Sequence, residues 1–268
     1  MLGYEKKRQA TLVLENGANF DGWAFGHLKN TAGEVVFTTG MTGYQETFTD
    51  PSFAGQIVTM TYPLIGNYGL NLEDMEADAP RMRGCIVREK CEAPSNWRCE
   101  MSLDGFFKQY RVTGLEGVDT RRLTKMLRES GTLRGSILIE GCQDDLDFTD
   151  QDKNLVRDVT CGQVYDIPHP FARVHLAVMD FGLKKNILRE LHNNDCALTV
   201  FPAFSSAEKI LSCNPDAVFL TNGPGDPQDL PSVVKAVQIL MDEKPVLGIC
   251  LGHQIIALAS GCDTQRLK

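Results

Sequence analysis

From residue 174 to residue 260 the chain repeats one rhythm four times: an apolar run the length of a strand, a turn, then apolar positions at helical spacing. Strands are predicted over 174–179, 197–201, 217–220 and 246–249, and helices over 185–192, 206–212, 230–243 and 251–260. No other feature narrows the fold as far. Strands that alternate with helices become parallel neighbours joined by crossovers, and short aliphatic runs without polar alternation suit strands covered on both faces. The expected class is α/β, with a doubly wound parallel sheet in this half. Ligands of such sheets collect beyond the carboxyl ends of the strands. The residues immediately after each strand are therefore the ones to inspect.

The first half has another rhythm, strand-rich and punctuated by glycine, with strands predicted over 11–14, 34–38, 56–62 and 83–89. One helix opens at Asp119 or Thr120, either of which can cap it, carries Leu123, Met126 and Leu127 on one stripe, and stops at Gly131. A second is predicted over 102–110. The expectation is a mixed α and β domain over 1–142. The acidic run 143–152 and the sequence Pro168-His169-Pro170 then mark 143–172 as a linker, since proline is poorly accommodated in helix interiors and sheet ladders. The α/β domain is expected over 173–268.

Composition excludes several functions. A net charge of −8 without a basic cluster leaves nothing to neutralise a phosphate backbone, so nucleic acid is not an expected partner. No apolar stretch approaches the ~18 residues of a membrane span, and the first residues lack the apolar core of a secretory signal. Nine cysteines, an odd number without any C-x-x-C pair, argue against a disulfide framework and a structural zinc site. A reducing, cytoplasmic compartment is expected, with no metal in the chain and the cysteines other than Cys250 read as small buried hydrophobes.

Three strand ends carry unusual sequence: Asp180-Phe181-Gly182, Thr221-Asn222-Gly223-Pro224-Gly225-Asp226-Pro227, and Gly248-Ile249-Cys250-Leu251-Gly252-His253-Gln254. A strand followed by G-x-C-x-G and an apolar helix is a nucleophile elbow with cysteine in the serine position. Its turn forces the central residue into a strained conformation and its glycines let strand and helix pass closely. Cys250 then stands at a helix N-terminus, where unpaired N–H groups favour a thiolate. The amide of Leu251, with one from the 223–225 loop, is placed to hold the oxyanion formed when the sulfur attacks a carboxamide. The pentapeptide alone equally fits a cysteine closing a buried strand; its place after the fourth strand, with the glycine-proline loop before it, favours catalysis. His253 lies along the helix flank and is read as structural or positioning. Asp226 lacks a second ligand at metal spacing and is read as a loop cap. His27, His169, His175 and His192 carry no local signature.

The segments GICLGHQ at 248–254 and NGPGDP at 222–227 resemble the class I glutamine amidotransferases. In the first half, Glu34–Phe37, Met41-Thr42-Gly43-Tyr44-Gln45-Glu46, Thr49-Asp50-Pro51-Ser52, Gln56-Ile57-Val58-Thr59, Tyr62-Pro63, Ile65-Gly66-Asn67 and Asp119-Thr120-Arg121 are similar to the N-terminal domain of carbamoyl-phosphate synthetase small subunits. The resemblance implies a glutaminase that passes ammonia through a tunnel to a large synthetase subunit. There it joins bicarbonate and phosphate from ATP to give carbamoyl phosphate for arginine and pyrimidine synthesis. It also implies a heterodimer, with no cofactor in this chain and with ATP and Mg in the large subunit; the chain has no G-x-x-x-x-G-K-[ST] loop. Carried over by position, the nucleophile is Cys250, and Ser52, Gly223, Gly225, Leu251 and Gln254 contact L-glutamine. Ser52 would place the pocket where the two domains meet.

In that family a later histidine and glutamate complete the triad with the cysteine. No H-x-E occurs here, so the sequence departs from the pattern after the elbow helix. The expectation is a C-terminally truncated chain, inactive alone, with an exposed sheet edge. A non-catalytic scaffold for the large subunit is the alternative. A cysteine hydrolase of esterase type would need an acid and then a histidine after Cys250, and no histidine follows His253.

Overall fold

A computed structural model describes residues 7–143 and 155–265. They divide into two compact units: 7–49 with 53–143, and 50–52 with 155–265.

The first unit is built on a closed β-barrel. Its strands are β1 (Arg8–Leu14), β2 (Asn19–Gly26), β3 (Thr31–Thr38), β4 (Gln56–Met60), β6 (Gly84–Ile86), β8 (Thr113–Glu116) and β9 (Leu133–Ile139). Around the barrel the order is β1-β2-β8-β6-β4-β3-β9, with β9 returning to β1 through pairs such as Leu12↔Ile137. The strands β5 (Leu64–Ile65) and β7 (Glu89–Lys90) form a separate two-stranded ladder. The expected mixed α and β content is present, and the strands close into a barrel, which the sequence did not foretell; among the described residues it carries the α-helices α1 (Tyr44–Thr49), α2 (Leu103–Gln109) and α3 (Thr120–Ser130).

Strand alternation feeds two cores. Ile57 and Ile86 pack with Leu123 and Leu127 of α3, whereas Val58, Met60 and Cys85 pack with Phe48, Phe106 and Phe107 of α1 and α2. Local signals fix the helices. The Asp119 carboxylate accepts the Arg122 N–H at 3.0 Å to start α3, and Gly131 ends it at φ 80°. Ser102 accepts the Gly105 N–H at 3.2 Å to start α2.

In the second unit come α4 (Leu155–Val159), β10 (Tyr165–Ile167), β11 (Val174–Asp180), α5 (Lys185–Asn193), β12 (Cys196–Pro202), α6 (Ala207–Leu211), β13 (Ala217–Leu220), α7 (Pro231–Glu243), β14 (Val246–Gly248) and α8 (Leu251–Ala259). The sheet order is β10-β12-β11-β13-β14. The last four strands run parallel, and β10 is antiparallel to β12. α4 and β10, an edge strand of the sheet, lie within the expected linker 143–172. Its acidic part, 144–152, lies outside the described residues.

Both sheet faces are apolar. Ala177, Met179, Val218 and Leu220 pack with Ile210 of α6, Val233 and Val237 of α7 and Ile255 of α8. The alternate residues Leu176, Val178, Leu198, Val200 and Phe219 pack with Ile187, Leu188 and Leu191 of α5. Because β11, β13 and β14 are neighbours and parallel, their carboxyl ends lie side by side. Those ends carry the unusual sequences. No helix among the described residues is long and apolar enough to cross a membrane.

Candidate active site

Cys250 occupies the turn between β14 and α8 at φ 52° and ψ −112°, a backbone conformation that costs a side-chain-bearing residue of order 1–3 kcal/mol. The flanking glycines show why the turn closes. A Cβ on Gly248 would stand 2.6 Å from the backbone carbon of Gly252, and one on Gly252 would stand 2.4 Å from the Leu220 carbonyl oxygen. The turn is tied to β13 as well, since Ile249 N–H donates to Leu220 O at 3.0 Å and Gly252 N–H to Thr221 O at 3.1 Å. Cys250 is exposed while Leu251 is buried, so the strained residue is the one offered to solvent. Gln254 is exposed on α8 and its N–H donates to Cys250 O at 3.0 Å, closing the helix's first turn. His253 is also exposed on α8.

The loop after β13 packs against the end of β11. Gly223 lies where a Cβ would meet the Phe181 carbonyl oxygen at 2.2 Å, and Gly225 has φ 87°. Thr221 hydroxyl accepts the Phe181 N–H at 2.9 Å. Asp180, 5% exposed, is held by three backbone donors: Gly182 and Leu183 N–H on Oδ1 at 2.9 and 2.8 Å, and Cys161 N–H on Oδ2 at 2.7 Å. A carboxylate taken out of water needs such partners. Burial, and after it the Asp180 charge, push the Cys161 thiol up to about 12. Asp226 caps the short turn Pro227–Asp229, accepting the Gln228 N–H at 2.9 Å, which is the loop role expected of it.

Ser52 joins this unit through Asn222. The Asn222 Nδ2 group lies 2.9 Å from Ser52 Oγ, 2.8 Å from Gly182 O and 3.4 Å from Asp50 Oδ1. Lys184 Nζ pairs with Asp50 Oδ2 at 2.6 Å, and Ser52 N–H donates to Asp50 Oδ1 at 2.9 Å. Ser52, Gly223 and Gly225 are thus brought to one loop cluster, and the elbow bonds that place Cys250, Leu251 and Gln254 run to Leu220 and Thr221 at its base. Sequence reasoning gave no role to Asp50, Lys184 or Asn222. Asp50 and Asn222 lay inside quoted motifs, but their partners are distant in the chain, and only the fold joins them. Among the described residues no group of three or more His, Cys, Asp or Glu is arranged to hold a metal ion.

Cys250 thus stands strained and exposed between a parallel strand and a helix of an α/β sheet, beside the glycine-proline loop that follows the neighbouring strand. Residues 177–268 match the family described as glutamine amidotransferase class-I. Residues 12–137 match the carbamoyl-phosphate synthase small chain, CPSase domain. The chain is 52% identical over 266 residues to the carbamoyl phosphate synthase small chain of Clostridium perfringens, a match covering 97% of this chain and 75% of that protein. It is 47% identical to the pyrimidine-specific small chain of Bacillus subtilis, over 96% of this chain and 71% of that one. It is 48% identical to the small chain of Bacillus caldolyticus, over 98% and 72%. This chain belongs to the carbamoyl phosphate synthase small chain family. Among solved structures, an aminopeptidase from Aneurinibacillus sp. strain AM-1 aligns at 13% identity with a TM-score of 0.32, too low to bear on the fold.

Proposed function

We propose that this chain is the glutamine-hydrolysing component of a carbamoyl-phosphate synthase, with Cys250 as its nucleophile. The observation that carries the reading is the backbone of Cys250 at φ 52°, an exposed thiol held in the elbow by Gly248 and Gly252. The sulfur attacks the carboxamide carbon of glutamine, and the oxygen takes the negative charge facing the Leu251 amide and the 223–225 loop. Gly252 N–H is already committed to Thr221 O and Ile249 O, and Gln254 N–H to Cys250 O, so the Leu251 N–H, next in the chain to the nucleophile, is among the amides at the head of α8 left without a backbone acceptor. Collapse of the tetrahedral species breaks the C–N bond. The thiol proton must reach the departing nitrogen, so ammonia leaves and a thioester remains. Water then attacks the thioester, giving glutamate and returning the thiol. Ser52, Gly223, Gly225 and Gln254 hold the substrate.

On this reading the proton carrier is a histidine oriented by a glutamate. No histidine–any residue–glutamate triplet occurs in the 268 residues, and turnover by them alone is not expected. The partner is a large synthetase subunit that receives the ammonia and holds ATP and Mg, in a cytoplasmic heterodimer serving arginine and pyrimidine synthesis. Apolar cores on both faces of the sheet support a doubly wound arrangement, as the parallel order of β12-β11-β13-β14 does. Leu247 of the outermost strand β14, 51% exposed, supports an incomplete sheet whose edge takes a further strand.

The test is alkylation by a diazo-ketone analogue of glutamine, read by intact mass and peptide mapping. Selective labelling at Cys250, slowed by free glutamine, is the expected result. A folded chain whose Cys250 reacts no faster with the analogue than with iodoacetamide, and is not protected by glutamine, overturns the catalytic reading and leaves a scaffold for the large subunit.

A further inference from the structure

The geometry points to Asn222 as a positioning residue that makes the Ser52 hydroxyl a hydrogen-bond donor to the α-carboxylate of the substrate. This rests on the reading of Cys250 and Ser52 as parts of a glutamine site.

The argument begins with what surrounds the Asn222 amide, which is 4% exposed. One end faces Gly182 O at 2.8 Å and the Asp50 carboxylate at 3.4 Å. A carbonyl and a carboxylate only accept. The NH2 group must therefore be the end that faces them, because the flipped amide would set its oxygen against two acceptors. The other end agrees, since its Oδ1 accepts the Lys184 N–H at 3.4 Å. With the amide fixed this way, Nδ2 has no lone pair to offer Ser52 at 2.9 Å, so Ser52 Oγ accepts from it. The hydroxyl hydrogen of Ser52 then points away from Asn222.

A hydroxyl whose lone pair is occupied in this manner presents a donor. The Lys184 ammonium pairs with Asp50 at 2.6 Å and steadies the carboxylate that keeps the amide from flipping. Free glutamine offers few acceptors for such a donor. Its ammonium group only donates, and its carboxamide is the group that Cys250 attacks. The α-carboxylate remains. Asn222 touches no reacting atom in this scheme; it acts through Ser52.

The full chain is tested by the rate at which Cys250 is alkylated by two probes: a diazo-ketone analogue of glutamine, and the same diazo-ketone lacking the α-carboxylate. Losing a hydrogen bond to a charged group slows the first reaction by about tenfold. Asn222→Ala and Ser52→Ala should each show that loss, the double variant should be no slower than either, and the second probe should react at the parent rate throughout. Asn222→Asp keeps the size of the side chain but turns an acceptor toward Ser52, and should show the same selective loss. If both Asn222 variants leave the first rate unchanged while Ser52→Ala slows it, the positioning role is overturned. If they slow both probes alike, Asn222 only supports the elbow, and the proposal fails again. A parent chain that does not distinguish the two probes removes the carboxylate site and the inference with it, while glutamine protection of Cys250 still reports separately on the glutaminase reading.

Discussion

Gly252 lies against the end of β13 so closely that a Cβ on it would stand 2.4 Å from the carbonyl oxygen of Leu220. That oxygen is already the acceptor for Ile249 N–H at 3.0 Å, so it has no slack to move. The contact sets how near α8, with Cys250 at its head, comes to the parallel sheet.

Gly252→Ala should therefore push α8 away from β13. Overpacking against fixed backbone costs about 1–3 kcal/mol, and the shift misaligns the elbow. Urea denaturation should show the loss of stability, and the rate of Cys250 alkylation by the diazo-ketone should fall several-fold. A variant as stable and as reactive as the parent would show that the helix has room.

Cys250 itself stores strain at φ 52° and ψ −112°. Glycine adopts that region without a Cβ penalty, so Cys250→Gly should raise stability by about 1 kcal/mol while removing all labelling at the elbow. Cys250→Ala removes the labelling but keeps the strain. Denaturant midpoints for the two variants, compared side by side, isolate the backbone contribution from that of the thiol.

Much of the second unit was legible because its sequence keeps one period per element. The helices predicted over 185–192 and 230–243 are found as Lys185–Asn193 and Pro231–Glu243, and the strand over 217–220 is Ala217–Leu220. The barrel was not legible, for a physical reason visible at its glycines. β2, β8 and β9 contain Gly22, Gly114 and Gly135, and glycine reads locally as punctuation. In the fold these are places where neighbours pass too closely for a side chain. A Cβ on Gly114 would meet the Phe25 ring at 2.4 Å, one on Gly22 the Glu116 carbonyl oxygen at 2.3 Å, and one on Gly135 Val35 at 2.7 Å. Only the partner strand explains such a glycine, and the partner is far away in sequence. The candidate site divides in the same way. Cys250 and the 223–225 loop announce themselves by motif, whereas the contact of Asn222 with Ser52 spans 170 positions and has no local trace.

The aromatic core of the first unit offers a stability test away from the site. Phe107 of α2 is fully buried, stacks on Phe25 with centroids 5.4 Å apart and meets Phe48 edge-on at 5.2 Å. Phe107→Ala should cost about 3–5 kcal/mol, since the emptied volume is walled by two rings and the strand β2. Phe107→Leu, which refills part of the space, should cost less. Denaturant unfolding of both variants checks the order; equal losses would mean that ring stacking, not volume, dominates.

The thiols provide a pH prediction whose sign can be worked out. Burial pushes Cys85 well above its ordinary value of 9.0, and burial with the Asp180 charge pushes Cys161 up to about 12. Only the thiolate is a nucleophile. At pH 8 the folded chain should therefore leave Cys85 and Cys161 unmodified by iodoacetamide, while the exposed Cys250 and Cys262 react. Stability follows from the same values. Below pH 9 both folded and unfolded chains keep these protons and the thiols leave the balance unchanged. Above it the unfolded chain releases protons that the folded chain retains, so unfolding is favoured progressively as pH rises from about 9 to about 12. Tyr44 and Tyr68, also raised by burial, add a loss of the same sign that begins near their ordinary value of 10.0. The window between pH 9 and 10 is thus the one in which the thiols should dominate. Cys161→Ala should flatten the dependence of the urea midpoint on pH in that window. An unchanged slope would show that Cys161 ionises in the folded chain as readily as in the unfolded one, and that its burial against Asp180 is looser than the structure has it.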